Sequence, residues 1–392
     1  LVIGHTLTLQ SSILDEERQL LVYLPADYGA TDQPLPVIYL LDGRAHFRLT
    51  TATVELLVRN ARMPRSMVVG IANTSRSRDF TAVAVEGRPS GGAPRFLDFL
   101  ENEVIPFVDG NFRTAPHRTL IGHSLGGLLV VNALADRPEL FHAAIAVSPA
   151  VTNDEVAAPG SPSISDRLEA ALQHQKRWPF SLFVTMSDGE DGRWERDFEG
   201  IHRILQHSFP DGFSWEFLRT TGEDHGTTVL PSIDRGLRFI HADWNTSGLV
   251  REGTLDDLTA RFESLSTRLG FEIPPPEVMV NLLGYRLLQD GRTDEAVEAF
   301  EYNVALYPDS ANVHDSLGEG LERRGSLPGA LRSYRRAVSR AEASEDPLLP
   351  VFRANLSRVE ALLESRPGAA RILRTPSPGA LADSGTGPDP RR

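Results

Sequence analysis

The sequence predicts an α/β chain: a mostly parallel sheet with helices on both faces, followed by a small all-α helical-repeat domain. Three observations carry this. Short apolar runs alternate with helical stretches through the first 246 residues, the composition changes near residue 247, and a 34-residue repeat follows.

The opening elements, His5–Leu9 and Arg18–Leu24, read as an antiparallel pair. Pro36–Leu41 and Met67–Ile71 are continuous apolar runs of the kind buried on both faces of a parallel sheet. Arg118–Ile121, Ala143–Val147, Ser181–Thr185 and Ser214–Phe217 continue the series. Helical periodicity lies between them, over Pro94–Val108, Leu125–Ala135 and Ser232–Trp244.

Beyond residue 247, Thr254–Leu269 reads as one amphipathic helix, and Pro274–Pro276 breaks the chain. Leu283-Gly284 then returns as Leu317-Gly318, Gly291 as Gly325, Ala296 as Ala330, Phe300 as Tyr334 and Val304 as Val338. Small residues at such positions let paired helices approach, and the aromatic fills the space between them. The period resembles that of the tetratricopeptide repeat. Two copies are few for an independent stack, so Thr254–Leu269 and Val351–Leu363 are expected to cap it. The expected domains are 1–246, 247–371 and a Pro/Gly/Ser-rich tail at 372–392, expected to be disordered.

With 392 residues, 41% hydrophobic and 24% charged, the chain is an ordinary globular protein of about two domains. A net charge of −13 argues against nucleic acid or an anionic membrane as partner. The absence of cysteine excludes disulfides, thiol catalysis and cysteine-based metal sites. No apolar run reaches the ~20 residues of a membrane span. The chain begins at Leu1 rather than Met, so a leader ahead of it is compatible with the sequence. The compartment is open between cytoplasm and periplasm or exterior.

The strongest local signal is Gly122-His123-Ser124-Leu125-Gly126, a G-x-S-x-G segment between an apolar strand and a helical stretch. A chain that turns this sharply while presenting a serine needs small neighbours on both sides. The frame predicts an α/β-hydrolase with Ser124 as nucleophile, and the N–H of Leu125 as one oxyanion donor. A second donor is expected from the loop starting Leu41-Asp42-Gly43-Arg44, at the N–H of Gly43 or Arg44. In the chain order Ser…acid…His, the base falls on His225, in a Gly-flanked loop after the last strand. His123 adjoins the serine, but adjacent side chains on such a turn point apart. For the acid, Asp188, Glu190 and Asp191 follow the Ser181–Thr185 strand, and spacing does not choose among them.

These motifs resemble the esterase family that contains esterase D and the enterobactin- and salmochelin-type siderophore esterases. The resemblance covers most of residues 1–245. It runs through Leu14-x5-Leu20-Leu-Val-Tyr-Leu-Pro25, Val37–Gly43, Arg76-Ser-Arg-Asp79, Ser90–Ala93, Glu103–Pro106 and Gly122–Gly127. The repeats are similar to an extension on some bacterial members. The resemblance implies a metal-free, cofactor-free serine hydrolase of carboxylic esters, with Glu190 as the acid. Where many relatives carry aromatics after Ser-Pro-Ser, this chain reads Ser148-Pro-Ala-Val-Thr-Asn153, which implies a reshaped acyl pocket. Arg76, Arg78, His123 and Val151 are its candidate substrate contacts, with surface ion pairing the competing expectation for the two arginines.

The expected function is therefore a serine carboxylesterase acting on a small-molecule ester. A siderophore, feruloyl or carbohydrate ester is the narrower alternative. A peptidase or amidase using the same groups is the first rival. An inert hydrolase scaffold with the repeats recruiting a partner is the second. The repeats could also form a lid, a dimer surface or another protein contact.

Overall fold

The structure, a computed structural model, describes residues 2–30, 32–155, 162–190, 192–207, 209–245 and 247–365. The expected tail lies outside them. Two compact units result: Leu1–Asn245 with Phe262–Ile273, and Thr246–Arg261 with Pro274–Arg392.

The first unit is built on one eight-stranded sheet. Its strands are β1 (His5–Ser11), β2 (Glu16–Tyr23), β3 (Leu35–Leu40), β4 (Met67–Ile71), β5 (Thr114–His123), β6 (Ala143–Val147), β7 (Arg177–Ser187) and β8 (Asp211–Thr220). They lie in the order β1-β2-β4-β3-β5-β6-β7-β8. The pairs β1/β2 and β2/β4 are antiparallel and all others parallel. Alternate residues serve opposite faces. Val37 and Tyr39 enter one core with Phe96, Leu129 and Phe198, while Ile38 and Leu40 enter the other with Val54, Ile233 and Leu237. Continuous apolar strands are thus buried on both sides, as a helix-covered parallel sheet requires.

Three local differences from the sequence reading have physical causes. The expected helix over 94–108 is α-helical at Ala93–Phe99 and Ile105–Asn111, with a π-helical turn at Leu100–Val104 between them. Pro106 cannot supply an amide hydrogen there, so the ladder shifts. The expected helix 232–244 starts earlier, at Val229, and ends at Ile240, with a 3₁₀ turn at Ala242–Trp244. The expected loop at Gly43-Arg44 is instead the start of a helix, Gly43–Arg59. Gly43 is required there by packing: a Cβ would lie 2.6 Å from the Gly70 carbonyl carbon.

In the second unit, helices Glu277–Gln289 and Thr293–Leu306 form one pair, and Ala311–Arg323 and Leu327–Ala343 begin 34 residues later. Leu349–Glu364 follows. The first helix of each pair gives way to a glycine at positive φ, Gly291 (75°) and Gly325 (84°). A Cβ on Gly284 would stand 2.4 Å from the Phe300 ring, and one on Gly318 would stand 2.6 Å from the Tyr334 ring. Glycine and aromatic are therefore matched within each pair.

No helix among the described residues is long and apolar enough to cross a membrane.

Candidate active site

β5 delivers its last residue, His123, to the sheet's carboxyl edge, and the helix Leu125–Asp136 leaves at once. Ser124, between them, has φ 60° and ψ −117°, a conformation costing a non-glycine residue about 1–3 kcal/mol. The surroundings impose it. Ser124 N–H donates to Val147 O (2.8 Å), and its carbonyl accepts from Leu128 N (2.9 Å) and Ala150 N (3.1 Å). A Cβ on Gly122 would stand 2.2 Å from Gly126 O, and one on Gly127 would stand 2.9 Å from Pro149 Cα. Only glycine lets the chain turn this tightly.

Leu125 is the first residue of its helix, and Gly43 and Arg44 are the first two of theirs, so these amides have no intrahelical acceptor. The two helix starts are neighbours: a Cβ on Gly126 would be 3.1 Å from Asp42 Oδ2. Two sets of free amides at helix N-termini make a place for negative charge. The side chain of Arg44 turns elsewhere, donating to Gln19 Oε1 (2.7 Å).

His225 sits between β8 and the helix Val229–Ile240. Its Nδ1–H donates to Glu190 Oε1, which fixes the ring's tautomer with the proton on Nδ1. The second Glu190 oxygen accepts from Ser187 N (2.8 Å) and Ser148 Oγ (2.7 Å). Burial pushes the Glu190 carboxyl up, yet the bonds from His225, Ser187 and Ser148 together outweigh it and hold the group below the usual glutamate value. Of the other two carboxylates, Asp188 accepts from Gly222 N (3.0 Å) and so braces the His225 loop from outside, while Asp191 lies outside the described residues.

Two rings pack against the imidazole of His225. His123 lies 4.6 Å away, and Trp194, from the helix Arg193–His207, 4.2 Å away. His123 Nε2–H donates to the His225 carbonyl at 2.7 Å. Burial, and then the neighbouring His225, push the His123 pKa down to about 4, so His123 stays neutral beside His225. His46 packs edge-on against His123 at 5.6 Å. His123 thus ties the serine turn to the His225 loop.

The remaining sequence candidates are placed as follows. Val151 is buried in the larger core at 3% exposure, not brought to an open face. Arg78 is committed to Asp79 (2.7 Å) and Glu16 (2.6 Å), which is the ion-pairing outcome. Arg76 pairs with Asp42. The sequence reading missed Asp42, His46, Ser148, Ser187 and Trp194. Only Asp42 carried a signal, as the residue before a glycine at the end of an apolar strand. Among the described residues no group of three or more His, Asp or Glu side chains is placed to hold a metal ion.

Comparison with known proteins places this geometry. The profile of the family described as Putative esterase matches residues 11–203. The siderophore enterobactin esterase of Emericella nidulans is 32% identical over a 256-residue alignment, with coverage of 54% of this chain and 84% of that protein. The ferri-bacillibactin esterase BesA of Bacillus subtilis is 27% identical over 236 residues, 53% of this chain and 80% of that protein. Among solved structures, an IroE-like serine hydrolase from Shewanella oneidensis superposes with a TM-score of 0.65 at 24% identity, covering 77% of this chain and 99% of that one. The α/β-hydrolase fold is common to both. With the family match covering β2 to β7 and the serine turn, and a relative of 32% identity covered over 84% of its length, the chain belongs to the Putative esterase family and is a hydrolase of carboxylic ester bonds.

Proposed function

We propose that the chain is a serine carboxylesterase in which Ser124 is the nucleophile, His225 the general base and Glu190 the carboxylate that orients it. One observation carries the reading: His225 Nδ1 is bonded to a buried glutamate, beside a strained serine turn at a helix N-terminus. In the first step Ser124 Oγ attacks the ester carbonyl carbon and His225 Nε2 takes the hydroxyl proton. The carbonyl oxygen becomes an oxyanion facing the N–H of Leu125 and the N–H of Gly43 or Arg44. Collapse breaks the bond to the alcohol, which leaves with the proton from His225, and Ser124 carries the acyl group. Water then repeats the sequence, releasing acid and free serine.

The substrate class follows the relatives. Their names assign them siderophore esters, and a siderophore ester is the substrate proposed for this chain. The helical pairs of the second unit are proposed as a tetratricopeptide-like element on the strength of their 34-residue spacing.

The test uses p-nitrophenyl acetate and butyrate together with enterobactin, each offered to the wild type and to Ser124→Ala. Loss of all hydrolysis in a folded variant is expected. Equal turnover by both proteins sinks the nucleophile assignment. Activity on the small esters with none on enterobactin removes the siderophore reading and leaves the carboxylesterase.

A further inference from the structure

Resting on Ser124 as nucleophile, we propose that Asp42 and Arg76 are a positioning pair, a charge-neutral clamp that holds the two halves of the oxyanion site together. Asp42 ends the loop after β3 in a left-handed conformation (φ 53°) and is the residue from which the helix Gly43–Arg59 starts. It is buried at 6% exposure, so its carboxylate needs partners. Arg76, first residue of the short helix Arg76–Phe80, supplies them: Nε reaches Oδ1 at 2.6 Å and Nη2 reaches Oδ2 at 2.9 Å. Asn73 Nδ2 donates to Oδ1 as well.

The same Nη2 also donates to the carbonyl of His123, at 2.9 Å. His123 immediately precedes Ser124. One guanidinium therefore grips the segment carrying Gly43 and Arg44 and the segment carrying Leu125. Bidentate pairing gives this link a fixed direction as well as strength.

Charge matters as much as geometry. Asp42 Oδ2 stands 3.1 Å from where a Cβ on Gly126 would be, at the start of the serine helix. An unpaired carboxylate there would repel an oxyanion formed nearby. Paired with Arg76, it serves as an anchor without that penalty. Arg76 thus acts through Asp42 and the backbone rather than as the substrate contact the sequence suggested.

The experiment measures kcat and KM for p-nitrophenyl acetate and for the anionic p-nitrophenyl hemisuccinate. The proteins are the wild type, Arg76→Gln, Arg76→Lys, Asp42→Asn and the Arg76→Gln/Asp42→Asn double variant. Rates are expressed per site labelled by a fluorophosphonate, so that unfolded protein does not count. Arg76→Gln is expected to lower kcat by about 30- to 300-fold on both esters with KM changed by less than about threefold. Asp42→Asn removes the charge together with its need for a partner and is expected to lose less than about tenfold. The double variant is expected to run at least about fivefold faster than Arg76→Gln, because the stranded carboxylate is gone. Arg76→Lys keeps the charge without the fork and should fall between wild type and Arg76→Gln; if Arg76→Gln does not fold, a kcat loss in Arg76→Lys carries the test. Unchanged kcat in Arg76→Gln and Arg76→Lys, a loss confined to KM on the anionic ester, or a double variant no faster than Arg76→Gln overturns the clamp. Ser124→Ala, which has no Ser124 hydroxyl to label and whose rate is therefore expressed per folded protein, separates the two claims: full activity there defeats the nucleophile reading, whereas an inactive Ser124→Ala beside a fully active Arg76→Gln defeats the clamp alone.

Discussion

The indole of Trp194 lies over the imidazole of His225, with ring centres 4.2 Å apart and planes inclined by 35°. His123 also lies against this imidazole, with ring centres 4.6 Å apart, and burial keeps His123 itself neutral. In the proposed mechanism His225 becomes an imidazolium in the transition state, and the Trp194 ring would then offer it an electron-rich neighbour while His123 adds no competing charge.

Trp194→Leu keeps apolar volume and removes the π face. It is expected to lower kcat by about 3- to 30-fold, the equivalent of ~0.5–2 kcal/mol, with KM little changed. Trp194→Phe should retain most of the rate. Steady-state kinetics on a short p-nitrophenyl ester decide this, and a Leu variant as fast as wild type shows the stack to be packing alone.

Glu190 makes a second prediction. Glu190→Gln leaves the outline of the site intact and removes the charge that fixes His225, so kcat should fall by about 10²- to 10⁴-fold. Because the folded protein holds this carboxyl below its ordinary value of 4.5, its stabilising contribution is present above that pH. It is lost as pH falls through the lower folded value. The melting temperature of wild type should therefore exceed that of the variant at neutral pH, and the gap should close in acid. A gap independent of pH contradicts the pairing.

A buried histidine cluster sets a separate pH dependence. His117 and His241 are 5% and 3% exposed, with ring centres 6.2 Å apart. Burial, then the charge of Arg268, push the pKa of His241 down to about 3. Burial, followed by His241, His142 and Arg268, also depresses His117. The folded protein refuses protons that the unfolded chain takes up below its ordinary value of 6.5. Stability is thus full above pH ~6.5 and declines below it, by about 1.4 kcal/mol per pH unit for each histidine. His241→Gln cannot titrate, and its unfolding midpoint should fall less between pH 7 and pH 5 than that of wild type. Parallel slopes reject the idea.

In the helical pairs, Gly318→Ala drives a methyl into the Tyr334 ring and is expected to cost about 1–3 kcal/mol. Trimming the ring in a Gly318→Ala/Tyr334→Leu protein should recover part of the loss of Gly318→Ala measured against Tyr334→Leu alone. Gly325→Ala, in open space but at φ 84°, should cost about 1–2 kcal/mol and be indifferent to Tyr334. Thermal unfolding of these variants and wild type, with Gly325→Ala made on the Tyr334→Leu background as well, distinguishes steric from backbone causes.

The sheet was legible because its inner strands β3, β4 and β6 are continuous apolar runs separated by helical stretches, and the Ser124 turn because two glycines flank it. The chain order pointed to His225, and only the family resemblance to Glu190, since three carboxylates share its loop; the structure brings these two together. The helix Gly43–Arg59 was hidden, as Gly43 signals a turn and Thr50, Thr51, Thr53 and Val54 at its centre are residues favoured in strands. Arg76 and Trp194 were opaque for another reason: sequence reports a charge or a ring but not the partner it meets. Asp42 is 34 positions from Arg76, and Trp194 is on a different helix from the one that follows His225.

The backbone at Ser124 has an evolutionary consequence. A residue with a Cβ pays there for a conformation that glycine adopts freely. Replacing Ser124 by glycine would relax the turn, so the simplest mutation that abolishes the hydroxyl is also one that tightens the fold. Drift toward an inactive descendant is energetically downhill at this position, and only selection for turnover opposes it.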